Sequence, residues 1–161
     1  MPPIRADGIA VYVYRKSPTH KNRHDFLQLF RSKKAEGYEQ SWQTVYGGVK
    51  KKETAIEAAL RELKEETRLK PIRLFQVEFL ETFYFRPEDY VLVMPVFAAE
   101  VPATAKIKLN KEHTAHRWIP EKKISSAFMW RTQIEALTHV LAQLHHPSQA
   151  AHFLEVNLEN V

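Results

Sequence analysis

Residues 47–69, GGVKKKETAIEAALRELKEETRL, carry the reading from which the rest follows. A helix starts inside this stretch. Thr54 and Glu57 have the spacing of a capping box, in which the threonine accepts from the backbone ahead and the glutamate reaches back. Ile56, Ala59, Leu60 and Leu63 recur at helical spacing and mark a core face. The helix is expected to stop before Pro71. At ~100° per residue, Glu62, Glu65 and Glu66 fall within about 100° of arc, off the centre of the apolar face. Three carboxylates so close repel one another unless a cation sits among them. An all-oxygen set suits a hard ion such as Mg²⁺ or Mn²⁺. Arg61 adjoins them and suits an acid or a phosphate oxygen. Gly47-Gly48 lets backbone come close to a ligand. Residues 61–66 alone would also describe a solvated Glu/Lys helix face. The spacing of the whole stretch separates the two readings.

That spacing resembles the Nudix box, G-x5-E-x7-R-E-U-x-E-E-x-G-U, where U is a bulky aliphatic residue. Gly47, Glu53, Arg61, Glu62, Leu63, Glu65, Glu66 and Leu69 fall in register, and Arg68 stands where the box has glycine. With residue usages of a few per cent each, a chance match is on the order of 10⁻⁵ or rarer. The resemblance implies an α/β fold, an α/β/α sandwich around a mixed β-sheet. It also implies a divalent metal, Mg²⁺ or Mn²⁺, held by Glu62, Glu65, Glu66 and the Gly47 carbonyl. Glu53 and Arg61 would orient the loop and Glu62. Water would attack phosphorus in a diphosphate linkage, with the metal offsetting phosphate charge and making the water more acidic.

A narrower likeness extends beyond the box. Residues 42–49, WQTVYGGV, resemble the W-Q-S-V-T-G-S-V run of the bacterial dihydroneopterin triphosphate diphosphatases, also described as dATP pyrophosphohydrolases. Residues 112–118, EHTAHRW, resemble their E-H-x-A-Y-K-W run. The likeness covers roughly residues 5–145 and weakens between 75 and 111. It implies that Glu112 completes the metal site from a loop, and it leaves Glu62 and Glu112 both open as general base. Arg31 matches a phosphate-contacting arginine. Arg5 and Tyr46 are further substrate-binding candidates. Tyr46 replaces a threonine of that branch. The substrate implied is a nucleoside or pterin triphosphate cut to a monophosphate and pyrophosphate. Other Nudix specificities (diadenosine polyphosphates, nucleotide sugars, the 5′ end of RNA) stay open. So does a catalytically silent ligand-binding domain, although every acid of the box is retained.

The remainder of the chain agrees with one domain over residues 1–161, with a core at about 5–145 and a tail at 147–161. Strands are expected at residues 8–14, 26–30, 77–85 and 90–98, the last two as a hairpin across the turn residues 86–89. Residues 111–115 read as a loop and 116–119 as a short strand. Residues 130–144 form a second amphipathic helix. The tail suggests a strand at 153–156 or surface packing. Strands mixed with two separated helices imply a sheet covered on both faces. Phe83, Tyr84, Phe85 and Tyr90 could stack on a ring but are expected mainly as core or cross-strand pairs. His113 and His116 lack further N or S ligands at zinc spacing. His145 and His146 are expected at a helix C-terminal dipole. Trp42 and Trp118 are packing residues.

The net charge of +5 and the scattered lysine pairs suit a solvated basic surface that attracts polyphosphate rather than a nucleic-acid footprint. Cysteine is absent, which excludes disulfides and Cys-ligated zinc. No apolar run reaches the ~18 residues a membrane helix needs, and no signal-like leader opens the chain, so a cytoplasmic, membrane-free protein is expected.

Overall fold

A computed structural model describes residues 1–35 and 38–161 of the chain. Gly37, in the polar stretch 32–41 that reads as a loop, lies outside the described residues. Among these residues the strands are β1 (Ile4–Arg5), β2 (Gly8–Lys16), β3 (His24–Arg31), β4 (Trp42–Gln43), β5 (Val45–Gly48), β6 (Arg73–Phe85), β7 (Tyr90–Glu100) and β8 (His113–Pro120). The helices are α1 (Ala55–Thr67), α2 (Ile124–Ala127), α3 (Arg131–His145) and α4 (Ala151–Leu154). The eight strands form one mixed sheet. No helix among the described residues is long and apolar enough to cross a membrane.

β2 organises the sheet. It runs parallel to β7, from Ala10↔Val96 to Tyr14↔Glu100. Its other edge is shared by β5, from Gly8↔Gly48 to Val11↔Val45, and by β3, from Tyr14↔Phe26. Alternation along β2 feeds two cores. Ile9, Val11 and Val13 pack with Ala58, Ala59 and Leu63 of α1. Ala10, Tyr12 and Tyr14 pack with Ala136, Leu137 and Val140 of α3. A strand covered on both faces reads as an unbroken apolar run, which is why residues 8–14 show no polar alternation.

Four expectations shift. Strand β6 starts at Arg73, four residues early, because residues 73–76 pair with 97–100 before a bulge between Gln76 and Leu80. Strand β8 starts at His113, inside the expected loop, because β3 extends to meet it at Arg31↔His113. The buried stripe of α1 is Ala58, Ala59 and Leu63, with Ile56 and Leu60 only half-buried. The tail makes the short α4 and a single bridge, Phe75↔Glu155, held by Arg73 Nε donating to Glu155 at 2.8 Å.

Helix α1 has the capping box in full: the Glu57 amide donates to Thr54 Oγ1 at 3.2 Å and the Thr54 amide to Glu57 at 2.7 Å. At the other end Arg68 caps with φ 61°, and its amide donates to the Lys64 carbonyl. A left-handed conformation is strained for a residue with Cβ and natural for glycine. Arg68 is exposed, so its side chain contributes little packing. Arg68→Gly should therefore stabilise the protein by about 0.5 kcal/mol, the relief outweighing glycine's greater unfolded freedom. A urea midpoint below wild type would contradict this.

Candidate active site

The loop before α1 is fastened by one guanidinium. Arg61 Nε donates to Glu53 Oε1 at 2.7 Å and Nη2 to Glu53 Oε2 at 2.9 Å, a bidentate pair. Nη2 also donates to the Gly48 carbonyl at 2.8 Å, and Nη1 to Glu62 Oε1 at 2.6 Å. Arg61, first, and the Lys50 amide hold the Glu53 carboxyl down at about 2. Gly47 lies directly against Glu62. A Cβ there would overlap Cγ, Cδ and Oε1 of that side chain. This close approach, not a turn, is what demands glycine.

Behind Glu62 the acids become buried. Glu66 is 3% exposed, and its Oε2 has no hydrogen-bond partner among the described residues. Burial, then the charges of Glu62 and Glu112, push its carboxyl well above the usual range, with Arg31 opposing. Burial also raises Glu62, against the Arg61 hydrogen bond. Glu66 sits deeper than the helix periodicity implied because a distant loop covers it. The Lys108 amide donates to the Thr67 carbonyl at 2.9 Å and the Asn110 amide to the Glu66 carbonyl at 3.2 Å. These bonds satisfy the open end of α1. Asn110 Oδ1 then accepts from the Glu112 amide at 3.1 Å, and the Glu112 carbonyl accepts from Ser32 at 2.8 Å. The loop is thus anchored on both sides with Glu112 at the same cleft as Glu62 and Glu66. His113 follows, 3.9 Å from Glu66 Oε2 through Nε2, and burial lowers its pKa to about 4, so it is neutral at pH 7.

The cleft encloses about 510 Å³, within the range of small-molecule sites. One end holds Gly47, Gly48, Glu62, Glu66, Glu112 and Arg31. The other end is aromatic. Tyr38 lies 5.2 Å from Trp130 and 5.8 Å from each of Phe83 and Phe85, centroid to centroid. Tyr90 extends the wall, with Arg5 stacked 4.5 Å over its ring and paired to Asp7 at 2.8 Å.

Of the sequence candidates, Gly47, Glu62, Glu66, Glu112, Arg31, Tyr46 and Arg5 line this cleft. Glu53 and Arg61 stand behind it, holding the loop. Glu65 is half-exposed, 3.3 Å from Arg61 and 3.9 Å from Lys50, outside the lining. Phe83, Phe85 and Tyr90 are cross-strand neighbours, as expected, yet also face the cleft, whereas Tyr84 points to solvent. Tyr38, Trp130 and Glu81 were missed. Glu81, Phe83 and Phe85 share one face of β6 through period-2 alternation, the one signal that could have joined them. Trp42 and Trp118 pack under Arg117 and Arg15, as expected of packing residues.

His145 stands in the last turn of α3 and His146 caps it, at the helix C-terminus as expected. His145 meets a side chain rather than only a helix dipole: its Nε2 lies 3.1 Å from Glu121 Oε2, which also accepts from the His24 amide at 3.0 Å. Arg23 binds the other Glu121 oxygen at 2.7 Å. Burial raises this carboxyl, but the Arg23 and His145 hydrogen bonds prevail and hold it below the usual range. His24, Glu121 and His145 could hold a cation by proximity. Their contacts are those of an acceptor saturated with donors, apart from the carboxylate cleft.

The family model of the NUDIX domain matches residues 5–140. No curated protein matches the sequence. Several solved structures share the fold. An Ap4A hydrolase of C. elegans superposes with a TM-score of 0.70 at 21% identity, covering 87% of this chain and 98% of that one. A MutT protein of Methanosarcina mazei gives 0.69 at 20%, covering 89% and 97%. The dihydroneopterin triphosphate pyrophosphohydrolase of E. coli gives 0.64 at 22%, covering 85% and 95%.

Glu66 sets a pH signature. Its folded pKa lies above its unfolded one, so without metal its ionisation costs stability as pH rises from the ordinary glutamate range through the raised value. In excess chelator, Glu66→Gln should melt above wild type at pH 8, with the advantage shrinking toward pH 5. An advantage that grows toward acid would reverse the sign.

Proposed function

The chain belongs to the Nudix family, whose hydrolases act on diphosphate linkages, and from that membership we propose that it hydrolyses a nucleoside or pterin triphosphate, with Mg²⁺ or Mn²⁺, to a monophosphate and pyrophosphate. One observation carries the reading. A buried carboxylate oxygen of Glu66 without a hydrogen-bond partner among the described residues lies at a cleft that also holds Glu62 and Glu112. Buried charge without a partner is expensive, and like charges compound it. A divalent cation removes both costs, and an all-oxygen donor set fits Mg²⁺. The close seating of Gly47 on Glu62 supports the same fit.

Glu62, Glu66 and Glu112 would hold the ion, with the Gly47 carbonyl and Glu65 at the rim. When bound, the ion neutralises phosphate oxygens and makes water more acidic. The chain's own groups do the rest. Arg61 keeps Glu62 at the cleft while Glu53 fixes Arg61 against the loop. Arg31 at the acidic end supplies a cation for phosphate oxygens, and Arg5, stacked on Tyr90, lines the aromatic end. Glu62 and Glu112 are the acids placed to take the proton of the attacking water. Burial raises the Glu62 carboxyl above its usual range, which favours proton uptake there. The aromatic end receives the ring of the substrate, which separates ring from phosphates along one cleft.

Glu112→Gln should lower kcat by more than about tenfold, near 1.4 kcal/mol of barrier, with little change in melting temperature. The check is a steady-state assay with the first products separated. Pyrophosphate and a monophosphate are expected from triphosphates. Orthophosphate and a diphosphate as first products would overturn the bond assignment. Wild-type kinetics in the variant would remove Glu112 from the site.

A further inference from the structure

Resting on the triphosphate reading above, we propose that Glu81 is the ring-recognition group of the cleft, and that it selects rings with two adjacent N–H donors on one edge, as in the 2-amino-4-oxopyrimidine ring shared by guanine and pterins. The reading of the acidic end neither uses nor explains this residue.

Glu81 is 2% exposed, yet it contributes to the cleft wall. It lies on the same face of β6 as Phe83 and Phe85 and pairs with Met94 across β7. A glutamate at such a position is costly to bury unless its oxygens are satisfied. Two phenols satisfy it. Tyr12 donates to Oε1, and Tyr46 donates to Oε2 at 2.8 Å. The direction of the second bond is set from behind. Gln133 Nε2 donates to the Tyr46 hydroxyl at 3.1 Å, which commits the Tyr46 proton to Glu81. Both carboxylate oxygens therefore act as acceptors, and each keeps a further lone pair.

A carboxylate fixed as a double acceptor is a mould for two parallel N–H donors, the geometry by which guanidinium groups bind carboxylates. The N–H and exocyclic amino group of a 2-amino-4-oxo ring supply that pair. Adenine offers one amino group beside a ring nitrogen lone pair, which would face a carboxylate lone pair. Sites that hydrogen-bond a ring edge reject rings lacking the donor strongly, because the buried acceptor is left unpaired. The surrounding rings of Phe83, Phe85, Trp130 and Tyr38 provide stacking surfaces, and Glu81 supplies a double-acceptor edge beside them.

The position also suits the acids. Tyr46 and Gly47 are consecutive on β5 and face opposite sides of it. Tyr46 holds Glu81 on the α3 side, and Gly47 seats Glu62 on the α1 side. Ring recognition and the phosphate end are coupled through this dipeptide.

The test is calorimetric binding of non-hydrolysable α,β-methylene analogues of GTP, ITP and ATP to the full chain with Mg²⁺. Neopterin serves as a competitor. ITP keeps the ring N–H and lacks the 2-amino group. Wild type should bind the guanine analogue about tenfold or more tighter than the inosine and adenine analogues, as a lost bidentate base contact predicts. In Glu81→Gln the gap should fall to about threefold or less. Displacement by neopterin at lower concentration than by guanosine would assign the pterin source, and the reverse the guanine source. Equal affinity for the three analogues in wild type overturns the proposal, as does a gap that survives in Glu81→Gln. Should the variant not fold, the wild-type comparison decides alone. Turnover of triphosphates with no ring gap sinks Glu81 and spares the hydrolase reading. A ring gap without turnover of any triphosphate does the opposite.

Discussion

The guanidinium of Arg61 ties the strand–loop–helix segment into one piece. It grips Glu53 with two bonds, the Gly48 carbonyl with a third and Glu62 with a fourth. Without it, Glu53, Glu62 and the Gly48 carbonyl lose their shared partner. A planar, permanently charged fork is suited to this, and a lysine could not make the same set. The arrangement leaves Glu53 satisfied outside the cleft while Glu62 and Glu66 remain available inside it. Charge is balanced on the support side and left unbalanced on the ligand side.

That imbalance is tolerable because the rest of the fold is over-determined. β2 is buried on both faces, with α1 on one side and α3 on the other. The loop at 108–112 is bonded to the C-terminal carbonyls of α1 and to Ser32. The acidic end is therefore assembled from three parts of the chain, each with its backbone groups accounted for. The aromatic end is assembled from β6, β7 and the start of α3, on the opposite face of the sheet from α1. Tyr46 and Gly47 of β5, which face opposite sides of the sheet, both line the cleft.

Local signals in the sequence were the legible ones. The capping box at Thr54 and Glu57, the stop of α1 and the apolar run of β2 depend on neighbours within a few residues, and they are found where expected. Placement that depends on distant partners was not legible. The burial of Glu66 needs a cover more than forty residues away. The early start of β8 needs Arg31 as a partner. The acceptor for His145 is Glu121, with Arg23 and His24 reaching it from β3 and the turn before it. Glu81 was overlooked because an acid in β6, like Glu78 three residues before it, looks like a solvent-side residue until its phenol partners, Tyr12 and Tyr46, are brought to it by two other strands. The resemblance of residues 47–69 named the acids together, but only the three-dimensional arrangement separates Glu65, turned outward toward Lys50, from Glu62 and Glu66.

On the proposed reading, the carboxylates of Glu62, Glu66 and Glu112, with the Gly47 carbonyl, form a divalent-cation site. Crystals soaked in Mn²⁺ test it directly by anomalous scattering. A peak is expected bounded by Glu62, Glu66 and the Gly47 carbonyl, at oxygen-coordination distances of about 2.0–2.6 Å for hard cations. No peak there, with manganese instead at His24, Glu121 and His145, would contradict it.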